Sequence, residues 1–485
     1  MARNAIPSRP ALLGMVVLAA LSGCTSLAPE HQRPDVALPM VAAASSVPQA
    51  AGQAAALPGW QALVQDERLR QVVDLALQHN ADLKVAALNV RKTEAQLRLS
   101  DADRWPTVNG VFSAQRAPNT SGVQTSTLQA GLQVSAWEVD FLGRLSSLSD
   151  AAQASYWASE AAQRSARLAL VSQTVSAWLT LAADGEQLAL AEKTLQDREA
   201  SQALAALRYR VGALAEPDWR GVQALTAAAR STVAQARRQR TQDENALHAL
   251  VGAPVPAALL PEPRIGALAE GRWLAEVPAG LSADALLARP DVMQAEQQLR
   301  AAEANIGAAR AAMWPRITLS ASAGTVSNEL SNLFSAGTFA WTLAGQAAVA
   351  VFDHGRNRAN VQVAEISRDA AVASYQKTVQ TAFKEAADGL AGQTGWREQL
   401  AAQRAQLAAE AERHRLSKLK YDVGASSLLD WLDAERSLAA AQQAVVQVQL
   451  AELLNRVSLY KALGGDESTR SAAVASAKAA SGAAR

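Results

Sequence analysis

Few side chains in this chain are placed to do chemistry, and those that are gather after one turn. The run Tyr421-Asp422-Val423-Gly424-Ala425-Ser426-Ser427-Leu428-Leu429-Asp430-Trp431-Leu432-Asp433-Ala434-Glu435-Arg436 breaks a long Ala-rich helical pattern and then restarts it. Gly424 can end a helix in the left-handed conformation, and Ser426 or Ser427 can cap the next one. Asp430 and Asp433 are three apart, so both project from one side of that next helix, with Arg436 a turn beyond. On the plainest reading Asp430 is a helix-start carboxylate favoured by the dipole and Asp433 pairs with Arg436. Hydrolytic chemistry has no support. His31, His79, His248, His354 and His414 lack metal-ligand spacing, there is no HExxH and no phosphate loop, and Ser, His and Asp occur only as scattered residues. Neither an enzyme nor a cofactor is expected.

The other reactive residue is the lone cysteine, Cys24, which excludes an intrachain disulfide and a zinc–cysteine cluster. Arg3 and Arg9 precede an apolar run over 11–20, followed by Leu21-Ser22-Gly23-Cys24. A basic start, a short apolar core and small residues describe a secretory signal over 1–23 that is too short to span a bilayer. Its ending resembles the bacterial lipobox, whose cysteine carries a covalent lipid and becomes the mature N-terminus; the alternative is an ordinary signal with a chance cysteine. Thr25 in place of Asp implies sorting to the outer membrane. Lys plus Arg (46) and Asp plus Glu (45) nearly cancel, so nothing here is an electrostatic footprint for nucleic acid. Apolar residues make up 49% but aromatics only 5%, which favours long, closely packed helices over a thick globular core. No run of eighteen apolar residues exists to form a transmembrane helix.

These residues must be positioned by the elements around them. After a Pro-, Ala- and Ser-rich tether at 24–59, helical spacing runs over 60–105 until Pro106 stops it. The period then changes to two. Strands are expected over 107–117 and 127–136, with Pro118-Asn119-Thr120-Ser121-Gly122 as the turn. Helical spacing resumes after Asp140-Phe141-Leu142-Gly143-Arg144 and reaches Val211, interrupted only at Asp184-Gly185; unbroken, it would extend ~100 Å. A paler copy of the opening turn follows as Tyr209-Arg210-Val211-Gly212 with Asp218-Trp219, and a helix over 218–250. A proline-rich linker occupies 253–285.

The plan then repeats. Asp82, Arg91, Glu94, Trp105 and Pro106 match Asp291, Arg300, Glu303, Trp314 and Pro315 at an offset of 209. Past the second strand pair (317–324 and 338–349) the offset becomes 212: Gly143, Tyr209, Gly212, Asp218, Trp219 and Gly252 meet Gly355, Tyr421, Gly424, Asp430, Trp431 and Gly464. The chain is a tandem duplication, 60–252 and 286–465, of helix, strand pair, long helix, turn and helix. The position paired with Asp433 is Gly221, so only the second turn carries the full charged set. The tail over 466–485 is of low complexity and is expected to be disordered.

Each repeat offers two strands, so a subunit has four and two open edges. Either the sheet closes by oligomerising or it packs on the rest of the chain. Three copies would give twelve strands, an even number within the range of bacterial barrels. Narrow Ala/Leu seams with apolar residues at sevens (Leu181, Leu188, Leu195; Val446, Leu453, Tyr460) suit coiled-coil packing around a polar lumen.

On these features the sequence resembles the outer-membrane efflux channels, the TolC-like family, in its lipoprotein branch. The resemblance rests on Cys24, Trp105-Pro106 and Trp314-Pro315, the segment 140–144, and Phe352-Asp353-His354-Gly355-Arg356. It rests also on the Tyr421-to-Ala434 turn and on Leu459-Tyr460-Lys461-Ala462-Leu463-Gly464-Gly465. It covers residues 60–465 and implies an α+β membrane protein: a homotrimeric 12-stranded outer-membrane β-barrel, four strands per subunit, continuous with a long periplasmic α-helical coiled-coil barrel. It implies an equatorial belt from the linker and chain ends, and outer-membrane lipid around the barrel. A periplasmic membrane-fusion adaptor would dock at the turns, on Val211, Gly212, Val423 and Gly424, and an inner-membrane pump, of the RND type, would feed the duct. Leu429, Asp430 and Asp433, with Arg436, would close its periplasmic end. The competing readings are a structural lipoprotein that tethers membranes, which needs no closed sheet, and a passive porin-like pore, which needs no long helices.

Overall fold

A computed structural model of the chain describes residues 26–36, 59–118, 120, 122–277 and 286–465. Cys24, the signal segment and the 466–485 tail lie outside the described residues. The chain divides into two compact units: residues 1–35, 88–160 and 294–377 form one, and 36–87, 161–293 and 378–485 the other. Among the described residues no helix is long and apolar enough to cross a membrane.

The first unit is built on one sheet. β1 (Val108–Pro118), β2 (Gln124–Glu138), β3 (Arg316–Ser327) and β4 (Phe339–Ala348) pair in that order, antiparallel throughout. The β2–β3 pairing joins the two repeats, leaving β1 and β4 as open edges. Period-two alternation sorts the side chains. Val108, Leu132, Val134, Ala321, Ala323, Trp341 and Leu343 share one face, because Val108 opposes Val134, Val134 opposes Ala321, and Ala321 opposes Leu343. Asn109, Gln133, Ser322 and Thr342 occupy the other, where the Ser322 and Thr342 hydroxyls meet at 2.6 Å. The apolar face is uncovered, with Trp341 70% and Leu343 67% exposed. Gly131 and Gly324 oppose each other across β2–β3, where a Cβ on either would fall inside the backbone of the partner strand. A bulge between Val134 and Trp137, with Ala136 at φ 48°, adds twist at the end of that pairing.

Short polar devices end the strands and start the long helices. Asp140 accepts from the Ser146 amide, and Asp353 from the Gly355 and Asn357 amides. Those amides hold the Asp353 carboxyl below the usual range. Arg144 donates twice to Glu138, 2.7 Å each, bracing the exit of β2. Residues 26–36, expected to be part of a featureless tether, are seated instead. His31 Nδ1 lies 2.7 Å from Glu303, and Arg33 donates to Glu296 at 2.9 Å, both glutamates being buried. Gly307 makes room for this strand of chain, since a Cβ there would sit 2.7 Å from the Ala28 amide.

The helices follow the duplication. The region 60–105 is three helices rather than one: α1 (Trp60–Leu63), α2 (Glu67–His79) and α3 (Ala81–Ala102). Asp66 and Asn80 supply the breaks, capping the Leu69 and Leu83 amides. α4 (Arg144–Arg210) and α5 (Glu216–Val251) complete the first repeat; after the short α6 (Ala267–Glu270) come α7 (Pro290–Ala311), α8 (Arg356–Asp422) and α9 (Leu428–Ala462). The expected interruption of α4 at Asp184-Gly185 is absent. Gly185 sits inside an unbroken helix because the linker crosses there, with Pro263 Cα 3.2 Å from where a Cβ would stand.

The second unit holds the main core, and part of the 253–285 linker belongs to it. Trp178 and Trp273 contact at 5.1 Å beside Leu179, Leu247, Leu274 and Leu459, all buried. Trp178 donates to Leu259 O, and the Glu186 carboxylate accepts from the Gly266 and Leu268 amides. Buried Arg289 ties the second repeat together through Asp291, Glu385 and the Ala462 carbonyl, each at 2.8 Å.

Candidate functional site

The two helix-to-helix turns are built alike. α4 ends through Gly212 at φ 75° and α8 through Gly424 at φ 76°, left-handed positions that suit glycine. In each turn the next two amides reach back: Gly212 to Tyr209 O at 3.0 Å and Ala213 to Arg208 O at 2.8 Å; Gly424 to Tyr421 O and Ala425 to Lys420 O at the same distances. The paired Tyr and Trp of each repeat stack. Tyr209 lies on Trp219 at 5.9 Å and Tyr421 on Trp431 at 5.2 Å, fastening the outgoing helix to the incoming one. The Tyr and Trp were visible in the repeat, but which ring lay on which depends on the turn. Val211 (79%) and Val423 (71%) are left on the surface.

Helix starts differ. α5 begins after Ala215 with no side-chain cap and with Pro217 in its first turn. α9 begins with a full capping box: Ser427 Oγ accepts from the Asp430 amide and Asp430 accepts from the Ser427 amide, both 3.1 Å. Hydrogen bonds from the Ser427 hydroxyl and amide hold the Asp430 carboxyl below its usual range. Asp430 is therefore committed to the helix start, while Leu429 beside it is 72% exposed.

Asp433 lies one turn on. Arg436 donates to it at 2.5 Å within α9, and Arg413 of α8 approaches it at 3.6 Å while also holding Glu410. The Arg436 contact is internal to one helix, so it cannot itself hold two coils together; Arg413 is the partner that crosses the hairpin.

Beneath this surface set is a pair that sequence reasoning missed. Arg198 of α4 faces Glu435 of α9 at 3.4 Å, with side chains only 6% and 11% exposed, and the guanidinium reaches the Leu432 carbonyl at 3.5 Å. Burial raises the Glu435 pKa; Arg198 opposes that rise and Asp197 adds to it. The available signal was a charged residue interrupting the apolar stripe beside Leu432 and Ala434, with no partner at helical spacing. Ala205, Val222 and Leu432 pack together with Leu214, Trp219 and Leu428, so the two turns meet on one small core. Arg208 of the first turn hydrogen-bonds the Tyr421 hydroxyl of the second, and Trp431 Nε1 donates to His414 Nε2 at 3.2 Å. Burial lowers the His414 pKa, in keeping with a neutral ring that accepts.

An open-edged four-stranded sheet with a bare apolar face, joined in one chain to two long helical hairpins, defines a channel subunit of the outer membrane. A family model described as outer membrane efflux protein matches residues 72–253 and 281–465, and the chain belongs to that family. It is 40% identical over 467 residues to the toluene efflux pump outer membrane protein TtgC of Pseudomonas putida, covering 94% of this chain and 95% of that one. It is 38% identical over 468 residues to the cation efflux system protein CusC of Escherichia coli K12, covering 94% and 99%. Among solved structures it is similar to the open state of the MtrE outer membrane channel of Neisseria gonorrhoeae, with a TM-score of 0.80, 34% identity, and 91% and 99% of the two chains covered. The protein is thus a transport channel and not an enzyme, one of three chains that close a 12-stranded outer-membrane barrel and carry a helical periplasmic domain.

Proposed function

We propose that this chain forms the outer-membrane duct of a tripartite pump, carrying small molecules delivered by an inner-membrane transporter of the RND class through a periplasmic adaptor. The observation that carries the reading is the pair of matched turns, each rigidified by a left-handed glycine and a Tyr–Trp stack and each presenting an exposed valine. A rigid turn with an apolar tip suits docking of a partner, so the adaptor takes Val211, Gly212, Val423 and Gly424. Around a threefold axis, three copies of Asp433 repel one another, Leu429 adds a dry constriction, and Asp430 fixes the helix start that aims both. Arg413 and Arg436 offset part of that repulsion, so the end stays shut at rest. Cys24 carries the lipid that fixes the chain to the outer membrane.

Cysteine crosslinking at Val423→Cys in intact envelopes tests the docking. An adduct with the adaptor is expected; adducts only with copies of this chain would reject it in favour of a passive pore. Mass spectrometry of the mature N-terminus tests Cys24, since an unmodified thiol there rules out the lipid anchor.

A further inference from the structure

Away from the turns, the second unit contains a cavity of about 430 Å³ that the channel function does not use. Three elements wall it: the linker through Leu268, Arg272 and Trp273, α8 through Arg397 and Arg404, and α9 through Gln449, Glu452, Leu453 and Arg456. Spacings of seven on α8 (397 to 404) and on α9 (449 to 456) put each set on one helical face.

The charges do not balance. Arg397 is taken by Glu276 at 2.8 Å, and Arg456 by Glu452 at 2.5 Å. The side chains of Arg272 and Arg404, both exposed, have no acidic partner and no hydrogen bond among the described residues, although they stand on different elements and line the same space. Gln449 is largely buried, at 6% exposure, but its amide opens onto the cavity and makes no side-chain hydrogen bond among the described residues, so it is free to meet a ligand. The floor is apolar: the Trp273 indole N–H is already spent on the Leu268 carbonyl, leaving the ring and Leu453 as surface.

We infer that this cavity binds a short acidic peptide segment of a periplasmic partner. Its carboxylates would pair with Arg272 and Arg404, its backbone with the Gln449 amide, and one apolar side chain would lie on Trp273 and Leu453. Guanidinium pairs suit carboxylates because the planar fork donates two parallel hydrogen bonds. Free phosphate satisfies the arginines but neither the amide nor the floor, which is why the peptide is the favoured ligand. The site is distinct from the turns and does not depend on how they function.

The test uses the full-length trimer in detergent and two fluorescein-labelled peptides, Glu-Leu-Glu and its neutral counterpart Gln-Leu-Gln, read by fluorescence anisotropy. Saturable binding of the acidic peptide is expected, weakened at least tenfold in Arg272→Gln/Arg404→Gln and in Gln449→Ala. Equal binding of both peptides, or full displacement by equimolar inorganic phosphate, overturns the assignment. So does absence of binding, including the case in which Arg272→Glu dissociates the trimer and so assigns the cavity to a neighbouring copy. Bilayer conductance of the double variant should match the wild type, confirming that a folded channel was assayed.

Discussion

The most informative perturbation is a single proton between α4 and α5. Asp184 faces Asp243, and burial first, then the hydrogen bond and charge of Asp243, push its pKa from the ordinary 3.8 up to about 7; Arg240 only partly opposes this. The folded chain therefore keeps a proton that the unfolded chain releases near pH 4. The sign follows: the stabilisation from this carboxyl is complete below pH ~4 and is lost as pH rises through about 7. The whole shift sets an unscreened ceiling of ~4 kcal/mol. The group is only about half enclosed, and water screening brings the expected effect to ~1–2 kcal/mol. Asparagine keeps the shape without a titrating group, so Asp184→Asn should flatten the pH dependence. Thermal unfolding between pH 5 and pH 8, at fixed salt and detergent, is the assay. Wild type should lose ~1–2 °C across that range while the variant stays level and exceeds wild type at pH 8. A variant with the wild-type slope would refute the shared-proton reasoning.

Two further outcomes test the packing. Arg198→Ala leaves Glu435 buried without its cation and should cost about 3 kcal/mol in denaturant unfolding, whereas the paired replacement Arg198→Met/Glu435→Leu should be close to neutral; equal losses would mean that the ion pair matters only for its volume. Gly324→Val drives a side chain into the β2 backbone and should abolish the trimer on size-exclusion chromatography in detergent, while Gly337→Asn, in a turn with open space, should leave it intact.

Much of the architecture was written in periodicity. The change from period 3.6 to 2 after Pro106 located β1 and β2 within a few residues, because alternation between the two faces of a sheet leaves a local signature. The duplication did the same for the paired turns, since Gly212 and Gly424 need a left-handed backbone and stand at one offset. What depended on distant partners was hidden. Gly185 reads as a break, yet it is helical and serves the passage of Pro263, a contact that no local pattern encodes. The 26–36 segment lacks a period because it forms no helix or strand; its order comes from Glu296 and Glu303 on a helix far along the chain. Arg198 and Glu435 belong to different repeats, and only the hairpin register brings them together. At the turn itself a serine cap was legible, though not which of Ser426 and Ser427 supplies it nor that Asp430 closes the box; the Arg413 approach to Asp433 likewise required the third dimension.

The claim that joins these parts is that Asp433, presented by the second turn, restrains flow through a closed end of the duct. Single-channel recording of the purified trimer in planar bilayers measures it directly, comparing wild type with Asp433→Ala. The account predicts small resting conductance steps for wild type and steps several-fold larger for the variant. Identical step sizes with identical pH dependence would contradict it.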